Sequence, residues 1–291
     1  MKIGLLDSGP FVFSGLRTLL GSLMLFVVIV ATHRTIPLSR YKDILLLSLF
    51  NTLGSVGLIQ YALVDATATR TAMLMFTYPF WTLLLAWPVL DERIKGMQWF
   101  AIILAFCGLI LMLRPHDLNG ITISNLAALA AAISWAIASI IVKRILENRP
   151  MDLLVLTGSQ MAVGAIGLFA IAFFMNEQLP TITARFTFAL CATGFLSTGL
   201  GWLLWVYLLD KLNAGMTSML TLLVPVIALV TASWHLGETI QRDDSIGMVL
   251  ILAGLIMLTY LGFKSRKKLV ICNARSQITL LKRYGPQAHN D

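Results

Sequence analysis

Long apolar runs follow one another along the chain, and the charged residues collect in the short stretches between them. A membrane-spanning helix needs about 20 mostly apolar residues. Runs near that length cover Val12–Thr32, Ile44–Val64, Thr71–Leu90, Met97–Leu113, Ile123–Val142, Leu153–Phe174, Phe186–Leu209, Ala214–Leu236 and Ile246–Phe263, which predicts nine spans. A spanning barrel would read as alternating segments of about ten residues, whereas these runs are continuously apolar. The pattern therefore predicts an all-α, polytopic membrane helical bundle.

The pattern also repeats. TAMLMFTYPFWTLLLAWPVLDE at 71–92 is written again as TSMLTLLVPVIALVTASWHLGE at 217–238, so that Thr71, Met73, Leu74, Pro79, Leu83, Ala86, Leu90 and Glu92 recur 146 positions on. Tyr61, Leu63 and Ala68 pair with Tyr207, Leu209 and Ala214 at the same offset, and CGLI at 107–110 meets AGLI at 253–256. Pro and Glu are rare in apolar runs, so a register that holds from Tyr61 to Ile110 marks a duplicated unit. Five spans per copy, an odd number, make the second copy enter the membrane from the opposite side. Inverted repeats of this kind place a substrate site near the bilayer midplane, between the halves.

Composition agrees with a bilayer protein: 58% of residues are hydrophobic, 12% are charged, and the mean hydropathy is +0.83. No sizeable soluble domain fits between the runs. The first run is too long for a signal peptide, contains Arg17 and lacks a small-residue cleavage site before Arg34. A net charge of +8 matters here through its distribution. Arg34, Arg40, Lys42, Arg93, Lys95, Lys143, Arg144, Arg149, Lys211 and the tail beginning KSRKK fall on one side, against Arg70, Arg114, Arg185 and Arg242 on the other. The positive-inside rule then puts the C-terminus in the cytoplasm, with Glu92 inside and Glu238 outside. The basic tail, 264–291, suits anionic lipid head groups and not a nucleic acid.

The two quoted stretches, extended to 62–113 and 212–258, resemble the paired EamA-type halves of the drug/metabolite transporter superfamily. The likeness rests on a mid-helix Pro, a Glu just past the helix end and a Gly-containing last helix in both halves, and it spans almost the whole chain before the tail. It implies ten helices in two inverted five-helix bundles, a central cavity, and export or exchange of small metabolites such as amino acids, in a bacterial-type cytoplasmic (inner) membrane. The halves would be 1–114 and 123–263. The start departs from that pattern: 1–21 parallels 142–164 at an offset of 141 to 143, matching Arg17 to Gln160 and Gly21 to Gly164. The counterpart of Ile123–Val142 would lie upstream of Met1, so either the reading frame begins earlier or the protein has nine helices.

Polar and aromatic residues within spans tend to face a cavity or the bundle interior. The candidates are Asn51, Thr52, Gln60 and Tyr61; Tyr78 and Trp81; Ser134 and Trp135; Ser159 and Gln160; and Trp202, Trp205 and Tyr207. Trp202 and Trp205 are three apart and share a helix face, where their rings could stack on a ligand. Trp and Tyr also form interfacial belts, which gives the aromatic set a second reading. Pro79 and Pro225 each leave a carbonyl four residues earlier without its helical donor, which suits either a gating hinge or ordinary packing. Arg17 suits a substrate carboxylate, although an Arg near a helix end commonly snorkels to head groups. Glu92 and Glu238 read as structural, and no carboxylate stands clearly in mid-span for a proton relay.

An enzyme is not expected. His33, His116, His235 and His289 are scattered without HExxH, no P-loop occurs, RDDS at 242–245 lacks a second acidic cluster, and GLGW at 199–202 lacks the Asp of a GxGD protease. Cys107, Cys191 and Cys272 form no CxxC. No cofactor or metal is implied, and the expected partners are a small-molecule metabolite and the lipid bilayer. The rival reading is a nontransporting scaffold or subunit derived from a transporter.

Overall fold

The computed structural model describes residues 2–90, 94, 96–113, 122–148, 151–204 and 245–262. Every described element is helical. In chain order these are α1 (Pro10–Ala31), α2 (Tyr41–Asp65), α3 (Ala68–Met75), α4 (Tyr78–Leu90), α5 (Met97–Leu113), α6 (Ile123–Asn148), α7 (Leu153–Phe174), α8 (Ala184–Leu204) and α9 (Ser245–Gly262). Taking α3 and α4 as one broken span, seven of these segments are long and apolar enough to cross a bilayer, and Met97–Leu111 is a shorter apolar helix. Seven of the nine expected spans meet such a segment and Met97–Leu113 meets the shorter helix; Phe186–Leu209 beyond 204 and all of Ala214–Leu236 lie outside the described residues.

Local chemistry sets the helix ends. Pro10 opens α1 at a position where its missing N–H costs nothing. Thr67, Asp152 and Thr183 each cap a following helix by accepting a backbone N–H. Helices α1 and α7 end alike, at His33 and Asn176, both with φ of 52° in the left-handed region that Asn and His tolerate better than most residues.

Helices α1 and α7 pack side by side and run antiparallel. Just past the end of α7, the Glu177 carboxylate accepts from Phe11 N at 3.1 Å and Val12 N at 2.8 Å, at the start of α1. Past the other end of α1, Arg34 pairs with Asp152, the cap of α7. Between these ties Ser22 Oγ donates to Gly158 O at 3.0 Å. Small residues allow this approach, which is how helices associate where lipid removes the hydrophobic drive.

The same offset relates both ends of this pair: 143 positions separate Arg34 from Glu177 and His33 from Asn176. A second pair repeats the relation at the 146 offset. A Cβ on Gly254 would lie 2.8 Å from Ala101 O, and one on Gly108 would meet Gly247 O, so α5 and α9 cross at glycines already matched by the CGLI and AGLI motifs. Equivalent helices therefore meet each other through equivalent residues, antiparallel in the case of α1 and α7, as an inverted repeat requires. The larger core, around Met73, Leu74, Phe80, Ala105 and Ile251, joins α3, α4, α5 and α9.

Neither α2 nor α8 is a uniform α-helix. Ser48–Gly57 in α2 and Ala192–Leu200 in α8 are wound as π-helix, and the 146 offset lays one stretch over most of the other. Widened turns of this kind are rare and frequent at functional sites.

Candidate substrate cavity

A cavity of about 540 Å³ lies between the two halves. Its size is that of a small-molecule site, as is its make-up of mostly apolar walls with a few polar groups. Three aromatic residues from three helices form one wall. Trp135 of α6 and Trp202 of α8 stack with centroids 6.0 Å apart and planes 18° apart, and Tyr78 of α4 tilts against Trp135 at 5.9 Å. Such a ring pair contributes about 1 kcal/mol beyond its area burial and presents flat faces with N–H and O–H tips.

Polar groups come from the π-helical stretches, from α7 and, through Ser139, from α6. Asn51 and Ser197, which the 146 offset makes counterparts, both line the cavity, so it sits where the two halves face each other. Gln160, 1% exposed, lines it from α7. Thr52 Oγ1 donates to Gln160 Oε1 at 2.7 Å. That bond occupies the amide oxygen and orients the side chain, leaving its two N–H donors for a ligand. Close approach makes the bond possible: a Cβ at Gly164, one turn on, would collide with Thr52.

The cavity extends along α6 from Trp135 past Ala138 and Val142 to Leu146, and to Leu153 at the start of α7. Its far end therefore lies beside Lys143 and Arg144, the charged end of α6.

Arg17 does not reach head groups. Two turns into α1 and 5% exposed, it donates from Nη1 to Thr198 Oγ1 at 3.2 Å. The snorkelling expectation fails because neighbouring helices cover the guanidinium. Thr198 and Thr52 are counterparts at 146, as Arg17 and Gln160 are at 143, so the Arg17–Thr198 contact is the two-fold equivalent of Gln160–Thr52. Gly21 completes the match, since a Cβ there would run into Thr198. The Thr198 hydroxyl gives its proton to Thr193 O at 2.7 Å and so offers a lone pair to Arg17, where Thr52 offers its proton to Gln160. No carboxylate pairs with Arg17 among the described residues, and its Nε has no partner.

Tyr78, Trp135, Gln160 and Trp202 are thus brought together, while other expected site residues are not. Gln60 is fully buried outside the cavity lining, with no partner for either amide atom among the described residues. Tyr61 stacks on Phe11 at 6.1 Å. Trp81, partly buried, packs edge-on against Phe106 at 5.0 Å and donates its indole N–H to Thr77 Oγ1 at 3.1 Å, against the larger core. Pro79 does not kink a continuous helix. The helix breaks at Phe76 and Thr77, and Pro79 stands second in α4, where its lost donor is harmless. Trp205, Tyr207, Pro225, Glu92 and Glu238 lie outside the described residues. Ser139, Ser197 and Thr157 also line the cavity and carried no sequence signal beyond being small and polar in apolar runs, except that Ser197 is the register mate of Asn51. Among the described residues no three His, Cys, Asp or Glu side chains come together.

The model of the EamA-like transporter family matches residues 1–114 and again 122–260. The chain is 28% identical to an uncharacterized transporter, YoaV, of Bacillus subtilis (strain 168), over 92% of either chain. It is 30% identical to a "probable amino-acid metabolite efflux pump" of Salmonella typhimurium (strain LT2), over 92% of this chain and 91% of that one. A protein of the same description in Escherichia coli (strain K12) is 28% identical over the same shares. One solved crystal structure shares the fold, with a TM-score of 0.59 at 17% identity over 89% of this chain and 91% of its own.

Proposed function

We propose a function from one premise: the chain belongs to the EamA-like transporter family. It is a multi-pass membrane transporter. Our reading of its cargo is a small zwitterionic or anionic metabolite, amino acids first among them, exported or exchanged across a bacterial-type cytoplasmic membrane by two halves, 1–114 and 123–263. The observation that carries this reading is the cavity between the halves, where Tyr78, Trp135 and Trp202 offer aromatic faces and Gln160 offers amide donors. A wall of that make-up suits an apolar or aromatic side chain, and Gln160 suits the polar end of the same molecule. The names of two relatives support an amino-acid metabolite and the outward direction.

The cavity reaches the end of α6 that carries Lys143 and Arg144, and the positive-inside rule makes that end cytoplasmic. Loading from the cytoplasm follows, with the C-terminus on the same side. Counterflow in proteoliposomes tests the reading: vesicles preloaded with unlabelled L-phenylalanine or L-leucine should accumulate the labelled amino acid above protein-free controls. No accumulation across a full panel of amino acids would sink the assignment of cargo.

A further inference from the structure

Three cavity-lining residues of the second half have two-fold counterparts that are buried polar side chains without a full set of partners. Thr157, Gln160 and Gly201 line the cavity. Their counterparts, at offsets of 143 for α7 and 146 for α8, are Ser14, Arg17 and Ser55. Ser14 is fully buried and Ser55 nearly so, Arg17 is 5% exposed, and Ser14 Oγ, Arg17 Nε and Ser55 Oγ have no hydrogen-bond partner among the described residues. Buried polar atoms are nearly always satisfied, so three orphans at related positions call for a common cause. The present cavity supplies one. In an inverted repeat, rocking one half against the other closes the open pathway and opens its two-fold image. Ser14, Arg17 and Ser55 would line that image, and its being shut would account for their partnerless polar atoms.

Among the described counterparts of cavity residues, the two sets differ in one charge. Where the open cavity presents the neutral Gln160 amide, its image presents a guanidinium with one hydroxyl partner and no carboxylate among the described residues. A planar, weakly hydrated guanidinium held in a dry site is suited to bidentate capture of a carboxylate. We propose that Arg17 is the anion-binding group of a second substrate subsite, exposed on the membrane face opposite the present cavity, and that the transported solute carries a carboxylate. The inference rests on the transport reading above. It adds a sided sequence of events: Gln160 holds the solute's polar end on one face, and Arg17 takes the carboxylate on the other.

Cysteine accessibility tests this without a transport assay. In a background with Cys107, Cys191 and Cys272 replaced by Ala, Ser14→Cys places a thiol one turn from Arg17, and Thr157→Cys places its counterpart in the open cavity. Intact cells and inside-out vesicles are treated with anionic sulfonatoethyl methanethiosulfonate or its cationic trimethylammonioethyl analogue. The thiols of the two variants should label from opposite faces. In Ser14→Cys the anionic reagent should react roughly tenfold faster than the cationic one, as a field-focusing basic cleft requires. Adding Arg17→Lys should keep that preference and adding Arg17→Gln should erase it. The Gln variant introduces the residue already tolerated at position 160, so it should reach the membrane at normal abundance.

L-phenylalanine should protect the thiol at position 14, whereas its carboxamide and chloride should not. Labelling at position 14 from neither face, labelling there from the same face as at position 157, no charge preference, or a preference unchanged by Arg17→Gln each overturns the proposal. Protection by chloride alone overturns the carboxylate ligand. A charge preference removed by Arg17→Gln, with carboxylate protection but no amino-acid counterflow, upholds the subsite and removes only the cargo assigned in the preceding section.

Discussion

Thr52 and Gln160 join the two halves of the protein through a 2.7 Å hydrogen bond from hydroxyl to amide oxygen, at the edge of the cavity. The bond decides which end of the amide a ligand meets. Gln160→Ala removes the donors and should lower counterflow at least tenfold at unchanged membrane abundance. Thr52→Val keeps the shape but frees the amide to turn. A net hydrogen bond contributes about 1 kcal/mol, so this variant should lose roughly fivefold in apparent affinity. Equal flux in both variants and the parent would remove Gln160 from the site.

The Trp135–Trp202 stack is held by residues from two helices of one half, and Tyr78 brings in the other half. Trp202→Ala should therefore remove both a wall and the neighbour that keeps Trp135 in place. The expected outcome is a loss of about tenfold in apparent affinity for an aromatic substrate, largely restored by Trp202→Phe, which keeps the ring face. Competition counterflow with L-phenylalanine reads the difference. An Ala variant that matches the parent would return Trp202 to the role of a packing residue.

The spans were legible in sequence because apolar length is a strong signal, and the repeat was legible because Pro79 with Glu92 and Pro225 with Glu238 keep one register. Facing was less legible. Gln60 is polar within an apolar span, and polarity alone does not separate a side chain that faces a cavity from one packed in the bundle interior. Trp81 looked like a ligand ring, yet the break at Thr77 supplies a hydroxyl for its indole N–H and lets the ring pack against the core. The Arg17–Thr198 contact joins residues 181 positions apart, and only the packing of α1 on α8 brings them together.

Gln60 now carries the opposite expectation from the one its polarity suggested. Fully buried, unpartnered at both amide atoms among the described residues and off the cavity, it forfeits about 1–3 kcal/mol that a paired group would not. It also lacks the two-fold relation to a described cavity residue that sets Arg17 and Ser14 apart. Gln60→Leu, similar in volume, should raise the thermal unfolding temperature in detergent and leave counterflow intact. Lost flux with normal abundance would place Gln60 on the transport path after all.

Asp7, between the first short helical turn and α1, receives two bonds from Arg185, Nη2 to Oδ1 at 2.7 Å and Nε to Oδ2 at 3.0 Å, and a third from Thr183 at 3.1 Å. The Arg185 fork holds the Asp7 carboxyl below its ordinary range of about 3.8. A depressed carboxylate contributes stability that is fully present above its unfolded pKa and fades as the pH falls through its folded one. Wild type should thus be more stable than Asp7→Asn at pH 7 and keep that margin down to the ordinary carboxylate pKa. The two should converge only in stronger acid. Arg185 is 53% exposed, so salt should shrink the margin as well. Unfolding temperatures of the two proteins across pH at low and high salt make the comparison, and a margin that persists unchanged into strong acid would mean that Asp7 acts by shape and not by charge.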